Sequence, residues 1–128
     1  MAGAGLFPKS PFIPSFVMPD TTHPIIKALQ AKAAQILPKG SRLALYGSRA
    51  RGEARPDSDW DLHILVPGNE RLTLDTSEEL CWEFYQIGLF EFNQIIDSRA
   101  YSRHDWDKRA FLPYYKNVER DKIIIFQN

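Results

Sequence analysis

The sequence predicts an α/β domain of three to four short strands flanked by helices, and three features carry that expectation. Apolar runs of strand length occur at Leu43-Ala44-Leu45-Tyr46, Asp61 to Val66 and Ile123-Ile124-Ile125-Phe126. Around them lie longer stretches, Ile25 to Leu37 and Leu80 to Ile87, whose apolar residues recur at helical spacing. Pro38-Lys39-Gly40, Pro67-Gly68 and Gly88 separate the two kinds of segment. A chain of 128 residues can bury one core of this kind.

In chain order, residues 1–22 read as a proline-rich arm ahead of a domain over residues 23–128. Pro8, Pro11, Pro14 and Pro19 forbid a continuous helix and favour extended or polyproline II backbone. Phe7, Phe12, Ile13, Phe16 and Val17 are poorly placed in water, which favours an arm docked on its own domain or on a neighbouring subunit of a homo-oligomer. Thr21 or Thr22 can cap the first helix, with Pro24 in its first turn, and His23 stands at the boundary. After the strand at Leu43 to Tyr46, Gly47 and Ser48 form a sharp turn, and Arg49 to Glu53 can begin a short helix. Asp61 to Val66 is the second strand, with His63 on the Asp61 side as a buried, hydrogen-bonded histidine.

Asp75 or Thr76 with Glu78 or Glu79 resembles a capping box, and Gly88 is the expected end of that helix. Phe90 to Tyr101 is expected to supply a third strand. A helix over Arg103 to Phe111, capped by Ser102, follows, with Trp106 in the core and His104 at the surface. Pro113 interrupts, Tyr114 to Arg120 adds a turn or two, and Ile123 to Phe126 closes the sheet at an edge.

Sixteen basic and sixteen acidic residues give a formal net charge of zero, unlike the basic stripe that grips long nucleic acid. Cys81 is the single cysteine, which excludes an intrachain disulfide and a thiolate zinc cluster and fits a reducing cytoplasm. No apolar run spans a membrane, and the prolines interrupt any secretory signal.

The chemistry concentrates in Gly47-Ser48-Arg49-Ala50-Arg51-Gly52 and Ser58-Asp59-Trp60-Asp61-Leu62. Gly47 lets the backbone approach a ligand closely, Ser48 offers a hydroxyl, and a helix start with Arg49 and Arg51 adds positive charge. Asp59 and Asp61, two apart on a strand, project from one face about 6.6 Å apart, while Trp60 and Leu62 point into the core. Two like charges at a buried strand end call for a cation, and oxygen ligands suit a hard one.

Gly47-Ser48, ten intervening residues and Asp59-x-Asp61, with Ala50-Arg51-Gly52 and Ser58 inside the gap, resemble the signature of the nucleotidyltransferase superfamily that includes DNA polymerase β. The short chain is similar to its minimal nucleotidyltransferase branch over roughly Ile25 to Phe126. The resemblance implies a polymerase-β-like fold with a mixed sheet, and Mg²⁺-dependent transfer of a nucleoside monophosphate, AMP foremost, from ATP or another nucleoside triphosphate to an acceptor hydroxyl. It assigns Gly47, Ser48, Arg49 and Arg51 to the nucleotide, and Asp59, Asp61 and a third carboxylate to metal binding and catalysis. Glu91 and Asp97 are the candidates for the third. The family wording of an acid ahead of Tyr-Ser and a basic helix start is followed by Ile96 to Arg103, which selects Asp97, although Ser98-Arg99-Ala100 replaces the usual apolar run. Minimal members of the superfamily include antitoxins that adenylylate a HEPN-class toxin, and relatives modify aminoglycosides. The expected acceptor is a partner protein of this kind. A small-molecule acceptor and a catalytically weak module that masks its partner are the alternatives.

Overall fold

The computed structural model describes residues 18–128. Most of the expected arm lies outside the described residues. The chain runs through α1 (Ile25–Ile36), β1 (Arg42–Tyr46), α2 (Gly47–Arg51), β2 (Trp60–Val66), α3 (Leu74–Gln86), β3 (Ile96–Ser102), α4 (Arg103–Lys108), α5 (Pro113–Asp121) and β4 (Ile123–Gln127). A π-helical segment, Ile87–Phe92, extends α3. Among the described residues no helix is long and apolar enough to cross a membrane.

The four strands form one mixed sheet in the order β3-β2-β1-β4. β1 is antiparallel to both β2 and β4, whereas β2 and β3 are parallel. A parallel pair needs a long crossover, and α3 with its π-helical extension supplies it.

Alternation along the strands gives the sheet two unlike faces. Leu43, Leu45, Leu62 and Ile64 face α1 and α3 and meet Ile25, Leu29, Ala33 and Phe84 in the main core. Trp60 at the start of β2 is fully buried in the same core, and a side chain of this size contributes on the order of 3 kcal/mol by leaving water. The opposite face carries a smaller core of Leu65, Trp106 and Val118, ringed by Tyr46, Tyr101, Tyr114 and Tyr115 from the strands and from α5. The main core therefore holds the sheet from behind, and the aromatic cluster leaves the front open beyond its edge.

Several local expectations are corrected. Thr21 and Thr22 do not cap α1: the Ile25 amide donates instead to His23 Nδ1 at 3.0 Å. α3 starts earlier than Asp75, because Thr73 Oγ1 accepts from the Thr76 amide at 3.1 Å. Gly88 does not end the helix. The chain continues through the π-helical turn to Asn93, whose left-handed φ of 55° terminates it. The third strand is accordingly shorter than Phe90 to Tyr101. The helix expected over Arg103 to Phe111 stops at Lys108. Ser102 occupies its cap position without a side-chain hydrogen bond.

Gly88 is instead a packing glycine. A Cβ there would stand 2.7 Å from Ile96 Cγ1 and 2.8 Å from the Gln94 carbonyl oxygen, at the junction of the π-helical turn with β3. Gly88→Ala should therefore destabilise the fold by about 1–3 kcal/mol, the usual scale of overpacking. Urea denaturation checks this through a lower midpoint at unchanged slope.

Candidate active site

The site is built where β1 ends. Tyr46, its last residue, pairs with Asp61 of β2, and Gly47 follows at φ 73°. The Asp61 carboxylate lies directly over this glycine: a Cβ would collide with Asp61 Oδ2 and stand 3.2 Å from its Cγ. Glycine is thus required here for two reasons, left-handed backbone and close approach. Gly47 and Ser48 open α2, whose first amides have no partner within the helix.

On the other side of β2, Asp61 is the register partner of Asp97 on the parallel strand β3. Their side chains share a face one strand spacing apart, about 4.8 Å. Asp59 sits one residue before β2 with its side chain exposed. Burial and the charges of Asp97 and Asp59 push the Asp61 carboxyl up to about 6, and the cations Arg99 and Arg51 oppose the shift. Asp59 and Asp97 thus add negative charge near Asp61, and like charge nearby favours its protonated form.

Two further groups complete the front face. Arg99, two residues after Asp97 and hence on the same side, places its Cζ 5.8 Å from the Tyr114 ring centre. The Tyr46 and Tyr114 hydroxyls are hydrogen-bonded at 2.9 Å, and burial raises the pKa of both tyrosines.

The family model described as a nucleotidyltransferase domain matches residues 25–126. The chain belongs to this nucleotidyltransferase family. No curated protein matches the sequence. The fold is similar to that of a chain in a crystal structure of a toxin-antitoxin with AMP-PNP, with a TM-score of 0.56 and 16% identity, over 80% of this chain and 73% of that one.

Within this nucleotidyltransferase domain the residues singled out in the sequence separate into groups. Gly47 lies against Asp61, Ser48 follows it at the start of α2, Asp97 is the register partner of Asp61, and Asp59 lies one residue before β2 with its charge reaching Asp61. Arg51 stands at the rim, hydrogen-bonded to Glu53 and to Asp121, both at 2.9 Å, and its charge reaches Asp61. Glu91 is not part of the group, since it lies on the π-helical turn and lines a cleft between α1 and α3.

Arg49 is the clearest departure. Instead of facing a phosphate it is buried, with 5% of its surface exposed, and its guanidinium lies 4.3 Å from the Trp60 ring centre. It donates to Asp20 Oδ2 at 3.0 Å, to the Pro56 carbonyl at 3.2 Å, to the Ser58 carbonyl at 2.7 Å and to Gln94 Oε1 at 3.1 Å. Trp60 Nε1 donates to the same Gln94 oxygen at 2.9 Å. The side chain ties the loop before Asp59 and the turn before β3 to α2. Planar guanidinium geometry permits such a fork where an ammonium would not.

His63 is buried as expected but not hydrogen-bonded: neither ring nitrogen has a partner among the described residues. Its ring centre lies 4.1 Å from that of Trp106 and 5.4 Å from that of Tyr101. Burial, helped by nearby Arg42, pushes it down to about 3, so it stays neutral and serves the small core. Arg99 was not singled out as a site residue. Its alternation with Asp97 is the signal that could have found it.

Among the described residues no three His, Cys, Asp or Glu side chains are already gathered at coordinating distance. The donor set nevertheless fits a hard divalent cation: oxygen ligands only, Asp61 under repulsion from two neighbours, and Asp59 and Asp97 exposed enough to turn inward.

Asp61→Asn should stabilise the metal-free protein. The folded-state pKa is raised above the ordinary value of 3.8, so the penalty grows as pH rises from about 4 to 6 and is complete above that. After discounting for solvent on the open side, about 1 kcal/mol at pH 8 corresponds to roughly 4 °C in thermal midpoint. Melting curves should show this gain at pH 8 and its disappearance near pH 4. Arg49→Lys should lower stability at every pH between them by about 2 kcal/mol, since four acceptors lose their fork.

Proposed function

We propose that the protein is a Mg²⁺-dependent nucleotidyltransferase that moves AMP from ATP to a hydroxyl on a partner protein, in the manner of an adenylylating antitoxin. The observation that carries this reading is the direct pairing of Asp61 with Asp97 in front of Gly47, with Asp59 at the mouth. Membership of the nucleotidyltransferase family supports the reaction class. The fold shared with a toxin-antitoxin chain supports a toxin as the partner, and the resemblance of the sequence to minimal nucleotidyltransferases favours one of the HEPN class.

Asp59, Asp61 and Asp97 would hold Mg²⁺, which when bound neutralises phosphate charge and lowers the pKa of an acceptor hydroxyl. Ser48 and the first amides of α2 would cradle the β- and γ-phosphates, with Arg51 turning from its surface ion pairs to assist. Asp97 accepts the proton of the acceptor hydroxyl. The acceptor oxygen then bonds to the α-phosphorus, the bond from that phosphorus to the bridging α–β oxygen breaks, and pyrophosphate leaves. Arg99, beside Asp97 on the same face, offsets negative charge that grows on the transferring group. Positioning and charge neutralisation account for the acceleration, because no covalent enzyme intermediate is formed.

A second reading, a module that masks its partner without transferring anything, draws on the carboxylates being apart rather than already gathered. Calorimetry separates the two, since a masking module binds no ATP in a Mg²⁺-dependent way. For the enzyme, Asp61→Asn and Asp97→Asn should each reduce pyrophosphate release by about 10³-fold or more, and Arg99→Ala by roughly tenfold to a hundredfold. Undiminished release by Asp61→Asn would refute the assignment.

A further inference from the structure

Between α3 and the outer edge of β3 runs a continuous cleft whose two ends differ in chemistry. One end, of about 710 Å³, has Trp82, Tyr85 and Ile95 as its apolar wall, with Asp59, Glu78 and Asp97 along it. The other, of about 440 Å³, is lined by Arg71, Arg99 and Arg109 against a single carboxylate, Asp105. Cys81 and Ser98 belong to both, so the two ends meet beside Asp97. Ser98 and Ala100 on one face of β3, and Arg99 and Tyr101 on the other, all line the basic end, which therefore follows the strand's edge.

The basic end is ready for an anion. Arg71 and Arg99 are exposed and pair with no carboxylate among the described residues. Arg109 is held in place, with a guanidinium nitrogen 3.4 Å from Asp105 Oδ2 and its Cζ 5.0 Å from the Tyr101 ring centre. Its Nε, like Ser98 Oγ, is buried without a hydrogen-bond partner among the described residues. Unpaired guanidinium groups and buried polar atoms around one cavity suit a ligand rich in acceptor oxygens, and a guanidinium matches the planar carboxylate closely.

We propose that this cleft docks the acceptor, a partner-protein segment whose carboxylates lie about two to four residues from the acceptor hydroxyl. The acceptor role rests on the nucleotide-transfer reading above, whereas the preference for acidic segments rests on the cleft itself. Sheet order sets the side of approach. In that reading the nucleotide lies over Gly47 and Ser48 at the end of β1, and β1 and β3 flank β2 on opposite sides. Attacking and leaving oxygens stand in line across the transferring phosphorus, so the acceptor comes from the β3 side, where the cleft opens. Arg99 and Tyr101 follow Asp97 along β3 at about 7 and 13 Å, and Arg109 stands against Tyr101. With the hydroxyl at Asp97, carboxylates at those distances meet the arginines. An apolar residue on the other side of the hydroxyl meets the stacked rings of Trp82 and Tyr85, whose centres are 5.7 Å apart.

Fluorescence anisotropy of labelled peptides on the full chain, with Mg²⁺ present, tests this. The probes are Phe-Gly-X-Gly-Glu-Gly-Glu and its reversed sequence, X being Ser, Thr or Tyr, each set against its counterpart with Lys for Glu. In one orientation the glutamate peptide should bind about tenfold tighter than the lysine peptide, and the difference should shrink as salt is raised. Arg71→Glu/Arg109→Glu should cancel this preference. Arg71→Glu alone, at an exposed position, should give part of the effect with the thermal midpoint unchanged. Equal binding of glutamate and lysine peptides, binding of neither, or a preference that survives the double substitution overturns the proposal. Transfer of AMP from labelled ATP separates the two readings. Glutamate peptides that bind without being modified leave the docking standing and refute the transfer, whereas equal modification of glutamate and lysine peptides does the reverse.

Discussion

Asp61 and Asp97 are held side by side by the hydrogen-bond ladder of two parallel strands, and much of the molecule serves to keep them there. Like charges at this spacing repel, and the sheet does not yield, because its rear face is locked into the main core by Leu62, Ile64 and Phe84. Gly47 lacks the Cβ that would push Asp61 away from the end of β1. The resulting strain is electrostatic rather than steric. It appears as a carboxyl that retains its proton to about pH 6 and that a divalent cation can discharge.

The second constraint is the buried cation that holds the loop carrying Asp59. Arg49 brings together four segments that the chain visits at residues 20, 49, 58 and 94, and the Trp60 ring covers its face. A guanidinium can remain charged in such a setting because its donors meet carbonyl, amide and carboxylate oxygens together. Positive charge in a phosphate-binding sequence is therefore not equivalent from one arginine to the next. Arg49 shapes the site, and Arg51 and Arg99 are the cations left at its surface.

The two sheet faces divide the work between stability and chemistry. The rear is aliphatic, continuous and closed by α1 and α3. The front is a patchwork in which neutral His63, Trp106 and the tyrosines fill the centre and leave the strand ends to the acids. Burial without a hydrogen bond keeps His63 neutral, so the front core adds no charge of its own beside the carboxylates. The edge of β3 remains the open side, flanked by the aromatic ridge of α3.

Much of this could be read from the sequence alone. The strands at Leu43 to Tyr46 and Asp61 to Val66, the amphipathic helix from Ile25, and the Gly47-Ser48 and Asp59-x-Asp61 pair are local patterns, and local patterns follow from period and residue type. Helix ends were less legible: His23 and Thr73 cap where Thr21, Thr22 or Asp75 fit the usual rules equally well, and Gly88 looks like a stop until Ile96 is placed against it. The inward turn of Arg49, the exclusion of Glu91 and the pairing of Asp61 with Asp97 depend on which distant segments meet. Those meetings are set by sheet order and register, which no spacing within one segment encodes. The sequence by itself determined which residue types were available for the chemistry, and the tertiary structure decided which of them share a face, because a side chain's role depends on what stands within a few ångströms of it.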